Sequence, residues 1–531
     1  MARGILRRDR LRLAIWLVAV PAVTLPAMSA YTGTFETSAS AQARAAVMAT
    51  PTGTVFGGPG YGLAHYTTGA MVANELLLYL DVVAALAAIL LLVHATRHEE
   101  EEGRLELVGA TAVGRQAPLA AALGVVAAEV TAIGLVVGLG CLLYPDLRTI
   151  DSLALGLAVA ATGLAFVGLA AVAAQVAGTG RGAAGLAAAA LAASFLLRAA
   201  GDTATVQGDA VWWLSWLSPL GWANRMRLFV DIRWWPLLIP LAFALATGAV
   251  AWFLAARRDQ GEGLLAQRVG SPGAESRRIG IAALVWRRTR GAALGWGLGG
   301  LTLVLAMGPA VGSLRGYILD NPSIGRLLGV SGDAGVDAVV EAFSALVTLY
   351  AGLFMAAYAI SALGSLRSDE LAGRSALLLA EPVRRGRLLG LTAFTVAAVA
   401  LLAATAVGIA FGLAVWASRA VDLTVAIGVA AAMARAFPAL IVTVALAAFL
   451  IAACPRYAAL SWVPVGYAFF HAILGQGLGW PDWTRYLSPF SALPLSPAAD
   501  VSAAPVVILL GVALVLVGAA RQAYARRDLL A

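Results

Sequence analysis

The side chains able to do chemistry in this chain are few, charged and written twice. His98-Glu-Glu-Glu-Glu-Gly-Arg-Leu-Glu-Leu107 and Ser368-Asp-Glu-Leu-Ala-Gly-Arg-Ser-Ala-Leu377 stand at a fixed offset of 270 residues, which carries Gly103 to Gly373, Arg104 to Arg374 and Arg115 to Arg385. Glu100, Glu101, Glu102, Gly103 and Arg104 in the first copy, and Asp369, Glu370, Gly373 and Arg374 in the second, set carboxylates and a Gly-Arg step beside an apolar stripe (Leu105, Leu107, Val108; Leu377, Leu378, Leu379). A solvated connection could carry such charges merely to stay in water, but it need not keep its register after duplication. An amphipathic helix that docks on a partner must hold its apolar face and ionic edge at fixed positions. The kept register therefore favours docking.

Constellations for bond-making chemistry are missing. All 37 basic residues are arginine, and a P-loop needs a lysine to reach the terminal phosphates, so the chain cannot hydrolyse ATP by that route. His65, His94, His98 and His471 lack metal-ligand spacing, and no Gly-x-Ser-x-Gly elbow occurs. Cys141 and Cys454 fall near opposite membrane faces and imply no disulfide. A second set of ionisable residues lies inside apolar sequence, where charge is costly and often functional: Glu75 with Tyr79 one helical turn on, Asp81, Glu129 and Arg435. They either line a path through the membrane or neutralise one another in packing. Asp81, Glu129 and Arg435 fall near mid-depth, whereas Glu75 and Arg198 lie closer to the outer surface. The mid-depth cation belongs to the second half and the acids to the first, so Arg435 is expected to approach Asp81 or Glu129 across the halves. Pro438 would kink the same helix.

The elements that position these residues belong in a bilayer. With 61% hydrophobic and 12% charged residues and a mean hydropathy of +0.85, the chain reads as an all-α integral membrane protein. Spans are expected at about 13–30, 69–94, 117–142, 153–178, 183–200 and 235–256, and again at 291–311, 341–366, 388–416, 425–453, 458–475 and 505–520. This gives twelve helices in two tandem six-helix repeats: residues 1–256, a cytoplasmic linker at 257–278, and residues 279–531. The first apolar run resembles a signal sequence, but Ala27-Met-Ser-Ala30 is a weak cleavage site, so it is read as an uncleaved span. With the N-terminus inside, 26 of the 37 arginines fall in cytoplasmic segments, 9 in external ones and 2 in spans, which orients both termini to the cytoplasm of a cell membrane. The net charge of +8 reports this topology and no nucleic-acid partner. Basic segments at Arg3–Arg12 and Arg277–Arg290 read as amphipathic elbow helices on the inner leaflet.

Outside the membrane, Trp213, Ser218 and Pro219 recur at the same offset as Trp483, Ser488 and Pro489. Tryptophans at span ends commonly anchor the interface, and a Ser-Pro step breaks a helix where a re-entrant turn would need it.

In Glu101-Glu-Gly-Arg-Leu-Glu-Leu107, Asp369-Glu-Leu-Ala-Gly-Arg374, Leu379-Ala-Glu-Pro-Val-Arg-Arg-Gly-Arg-Leu-Leu389, Leu217-Ser-Pro-Leu-Gly-Trp-Ala-Asn-Arg225 and Arg233-Trp-Trp-Pro-Leu237, the chain resembles permeases of the type-2 ABC exporters over essentially its whole length. It is most similar to the fused, double-length actinobacterial form described as exporting polyketide antibiotics. The resemblance implies a coupling helix between the second and third helices of each half, an external gate between the fifth and sixth, and no cofactor in this chain. ATP and Mg would sit on a separate ABC ATPase subunit, two copies per permease chain, driving hydrophobic or amphipathic small molecules outward. The second loop has Leu371-Ala372 where the first has Glu101-Glu102, so the docking sites are expected to be unequal. A proton-coupled secondary drug antiporter, with Asp81 and Glu129 carrying protons, is the alternative. The large ionic loops favour the ABC reading.

Overall fold

The computed structural model describes residues 1–34, 38–109, 112–259, 261–265, 280–320, 332–371, 373–381, 383–417, 421–474, 481–493, 495–496 and 502–527. Every regular element among them is helical. The chain divides into two compact units, Met1–Gly270 and Ser271–Ala531. Most of the expected linker, and Ala372 of the second loop, lie outside the described residues.

The longer helices of the first unit are α1 (Ala2–Thr34), α2 (Thr68–Glu101), α3 (Ala117–Cys141), α4 (Thr149–Val176), α5 (Gly180–Gln207) and α6 (Trp235–Arg257). Those of the second are α7 (Ile281–Asp320), α8 (Gly332–Leu371), α9 (Arg385–Ala417), α10 (Leu423–Ala453), α11 (Val463–Leu474) and α12 (Ala503–Arg526). Ten helices among the described residues are long and apolar enough to cross a bilayer, which makes this a multi-pass membrane protein. The expected first and eleventh spans are not in that set. α1 covers the first, with Pro21 and Pro26 inside it. The eleventh is broken: a 3-10 stretch at Pro455–Trp462 precedes the twelve residues of α11, and twelve residues rise only about 18 Å. Prolines at 455 and 464 withhold the N–H groups that one continuous helix would need.

The elbow expectation is also corrected. Arg3–Arg12 continues without a break into α1, and residues 281–290 of the second basic segment form the start of α7, its first residues 277–279 lying outside the described residues. No Gly or Pro stands between Gly4 and Pro21, so nothing in that backbone stops the helix. At the level of the expected kink, α10 passes through a 3-10 turn, Met433–Ala436, which ends two residues ahead of Pro438.

Small residues set the helix spacing. In the first unit α4 packs against α2, α3 and α6. Gly134 and Gly138 of α3 face Gly156 of α4 so closely that a Cβ on any of them would meet the other helix's backbone. In the second unit Gly408 and Gly412 of α9 approach Ala426 and Ala430 of α10 in the same way. Cys141 is buried and Cys454 exposed.

Candidate functional site

The duplicated loops begin where α2 and α8 end. Gly103 and Gly373 both take left-handed φ, 70° and 69°, a conformation that a Cβ resists. Six-residue helices, Arg104–Gly109 and Arg374–Leu379, follow. Their carboxylates are largely turned inward, onto their own unit. Buried Glu99 receives Arg8 of α1 and Arg104 Nη1, the latter at 2.9 Å. Asp369, its counterpart, receives Arg288 of α7 and Arg374 Nε, the latter at 2.8 Å. Glu100 joins Arg97 at 2.7 Å to Arg258, just past α6, at 2.7 Å. Glu370 is joined by Arg527, just past α12. Arg115 and Arg385 then donate to the carbonyls of Arg258 and Arg527, at 2.8 Å in the second unit.

Both units thus carry one ionic lattice that ties the loop to the first and last helices. Glu100, Arg104, Asp369, Glu370 and Arg374 are among the residues expected from the sequence, whereas Glu99, Arg8, Arg288, Arg258 and Arg527 are not. Glu99 stands at the repeat offset from Asp369, and that was the available signal. Glu101 accepts the Gly180 N–H at the start of α5 at 2.9 Å, while Glu102 meets Arg104 and His98. At Asp9, beside Arg8, burial pushes the carboxyl up. The Arg8 hydrogen bond and the charges of Arg8, His94 and Arg12 outweigh it and hold the group below its ordinary range. The second loop shows outward both apolar side chains, with Leu371 and Leu377 65% and 74% exposed, and the Arg374 guanidinium.

Glu75 lies in a π-turn, Val72–Leu76, and accepts Arg44 Nη2 at 2.6 Å and the Tyr66 hydroxyl at 3.0 Å. Tyr79, a turn on, is exposed. Asp81 is 1% exposed with neither carboxylate oxygen hydrogen-bonded, and Glu129 Oε1 is also buried without a hydrogen bond. Arg435 donates to the Ser496 carbonyl, and the Ser496 hydroxyl donates to Glu341 Oε2 at 3.2 Å. Glu341, at the edge of its span, was not singled out by the sequence.

Each of the two Ser-Pro segments makes the same kind of hydrogen bond within its own unit. Ser218 is wholly buried between a 3-10 turn, Trp212–Leu217, and a short helix, Pro219–Asn224. Its hydroxyl donates to the Ser194 carbonyl of α5 at 2.6 Å. Ser488 is equally buried before Pro489 and donates to the Pro464 carbonyl at 2.9 Å. Donor and acceptor are 24 residues apart in both units. Trp213 and Trp483 are exposed. The first segment carries a further cluster in which Asp202 lies 3.5 Å from Arg198 and 3.1 Å from Arg225, and Arg225 also meets Ser215 and, at 3.1 Å, the Tyr61 hydroxyl.

A family model described as "Multidrug efflux system permease Rv1217c, C-terminal domain" matches residues 5–254 and again 280–525. The "Multidrug efflux system permease protein Rv1217c" of Mycobacterium tuberculosis is 34% identical over 535 residues, covering 99% of this chain and 94% of the relative. Two membrane units, each with a helical loop locked to its first and last helices, and a double match over nearly the whole length lead to one assignment: the chain belongs to the Rv1217c family of multidrug efflux permeases.

Proposed function

We propose that this chain is the complete transmembrane part of an ATP-driven ABC exporter and moves hydrophobic or amphipathic, drug-like compounds out of the cell. ATP hydrolysis belongs to a separate subunit, two copies per chain, one on each duplicated loop. Both loops and both termini face the cytoplasm. The repeated ionic lattice carries this reading. A loop pinned through Glu99 and Glu100 to α1 and to the residue after α6, and through Asp369 and Glu370 to α7 and the residue after α12, passes a push on its outer face to the helices of its unit. We also infer that Arg435 meets Asp81 or Glu129 in one state of the cycle, and that the Ser-Pro segments close the exit.

The test is to purify the chain with its ATPase and weigh the native complex. One permease with two ATPase copies is expected. The Arg104→Ala/Arg374→Ala double variant should remain folded, since both side chains are about half exposed or more, yet lose ATPase association or coupling. Two permease chains per complex, or unchanged transport and association in the double variant, would overturn the reading.

Asp81, buried with both oxygens unbonded, favours a second reading as a proton-coupled drug antiporter. Drug movement in proteoliposomes driven by a pH gradient alone, without ATPase, would select it.

A further inference from the structure

In the second unit a groove of about 1130 Å³ opens between the start of α9 and the end of α12. Arg384, Arg385, Arg387 and Arg521 line it, with no carboxylate. Arg385 is held by the Arg527 carbonyl. The other three are exposed, and none has a carboxylate partner among the ion pairs of the described residues. Guanidinium groups around one cavity repel each other unless an anion lies between them. Deeper in, the chemistry changes. Helical spacing places Arg387, Leu391 and Phe394 on one face of α9, and Arg521, Val517 and Leu514 on one face of α12. Phe394 and Leu514 are 71% and 75% exposed. Within seven residues, about 10 Å of helix, the walls pass from cationic to apolar. At the repeat offset the first half has Gly114, Ala117 and Ala251 in place of Arg384, Arg387 and Arg521, so the charge belongs to the second half.

We propose that this groove binds an anionic phospholipid of the leaflet it faces, the phosphate between Arg384, Arg387 and Arg521 and an acyl chain along Leu391, Phe394, Val517 and Leu514. A free phosphate would use the arginines and leave the apolar trough empty. A lipid fills both.

The experiment is native mass spectrometry of the full chain titrated with phosphatidylglycerol, with phosphatidylcholine and glycerol 3-phosphate as comparison ligands. R384Q/R387Q/R521Q should weaken phosphatidylglycerol retention on the order of a hundredfold, at about 1 kcal/mol per arginine. Phosphatidylcholine should be unaffected and glycerol 3-phosphate should not be retained. R384K/R387K/R521K, which keeps the charge, should retain most of the binding, and R3Q/R7Q/R10Q, an equal loss of exposed charge elsewhere, should leave it unchanged. Equal phosphatidylglycerol retention by parent and triple Gln variant would overturn the proposal. So would equal losses in the two Gln variants, tight binding of glycerol 3-phosphate, or a variant that keeps its lipid and loses only a protein partner.

Discussion

The acids of the duplicated loops are unequal in what they hold. Glu100 is 5% exposed and paired with Arg97, itself 1% exposed, and with Arg258. Deleting that carboxylate leaves a buried guanidinium without its charge partner, which costs about 3–5 kcal/mol when a buried pair is broken from one side. Glu102, with 36% of its side chain exposed, makes a surface pair worth about 0–1 kcal/mol. Glu100→Ala and Glu370→Ala are thus expected to lower the thermal unfolding midpoint of the detergent-purified chain strongly, and Glu102→Ala hardly at all. Equal shifts in the three variants would contradict the lattice. The loop residues and both glycines were legible in the sequence because they repeat. Their partners were not, since Arg8, Arg258 and Arg527 lie 91, 158 and 157 residues from the acids they meet.

Among the helices, hydropathy located the ten strong spans and missed where a helix stops or continues. Averaged apolarity sees the length of a run, so it joined Pro455–Trp462 to α11 across proline-broken backbone and detached Arg3–Arg12 from a helix that nothing interrupts. The Ser-Pro steps were read as breaks, and the fastening was invisible: each serine reaches a carbonyl of the preceding helix, 24 residues back. Ser218→Ala and Ser488→Ala each remove one buried hydrogen bond, worth about 1 kcal/mol. Faster amide hydrogen exchange is expected in Trp212–Asn224 for the first variant and in Asp482–Leu487 for the second, with α4 and α10 unchanged. Protection that is undiminished in both segments would show that these bonds do not hold the Ser-Pro turns.

For the whole molecule, the duplication was plain from one fixed offset, whereas the partner of Arg435 was not, because a residue's depth does not name its neighbour. Arg435 is linked through Ser496 to Glu341 within its own unit. The expected path role pairs it with Asp81 or Glu129 instead. Arg435→Leu should impair transport, and adding Asp81→Asn or Glu129→Gln should restore part of it. Restoration by Glu341→Gln alone would confine Arg435 to a packing role within its unit. The Arg198–Asp202–Arg225 cluster, between α5 and the first Ser-Pro segment, has a consequence for ancestry, since Ala468, Ala472 and Leu495 stand at the offset positions. A permease assembled from two products of one gene receives every substitution twice, so a cluster on one side alone is beyond its reach. Joining the halves in a single reading frame makes such one-sidedness inheritable, and each half can then specialise without its twin having to tolerate the same change.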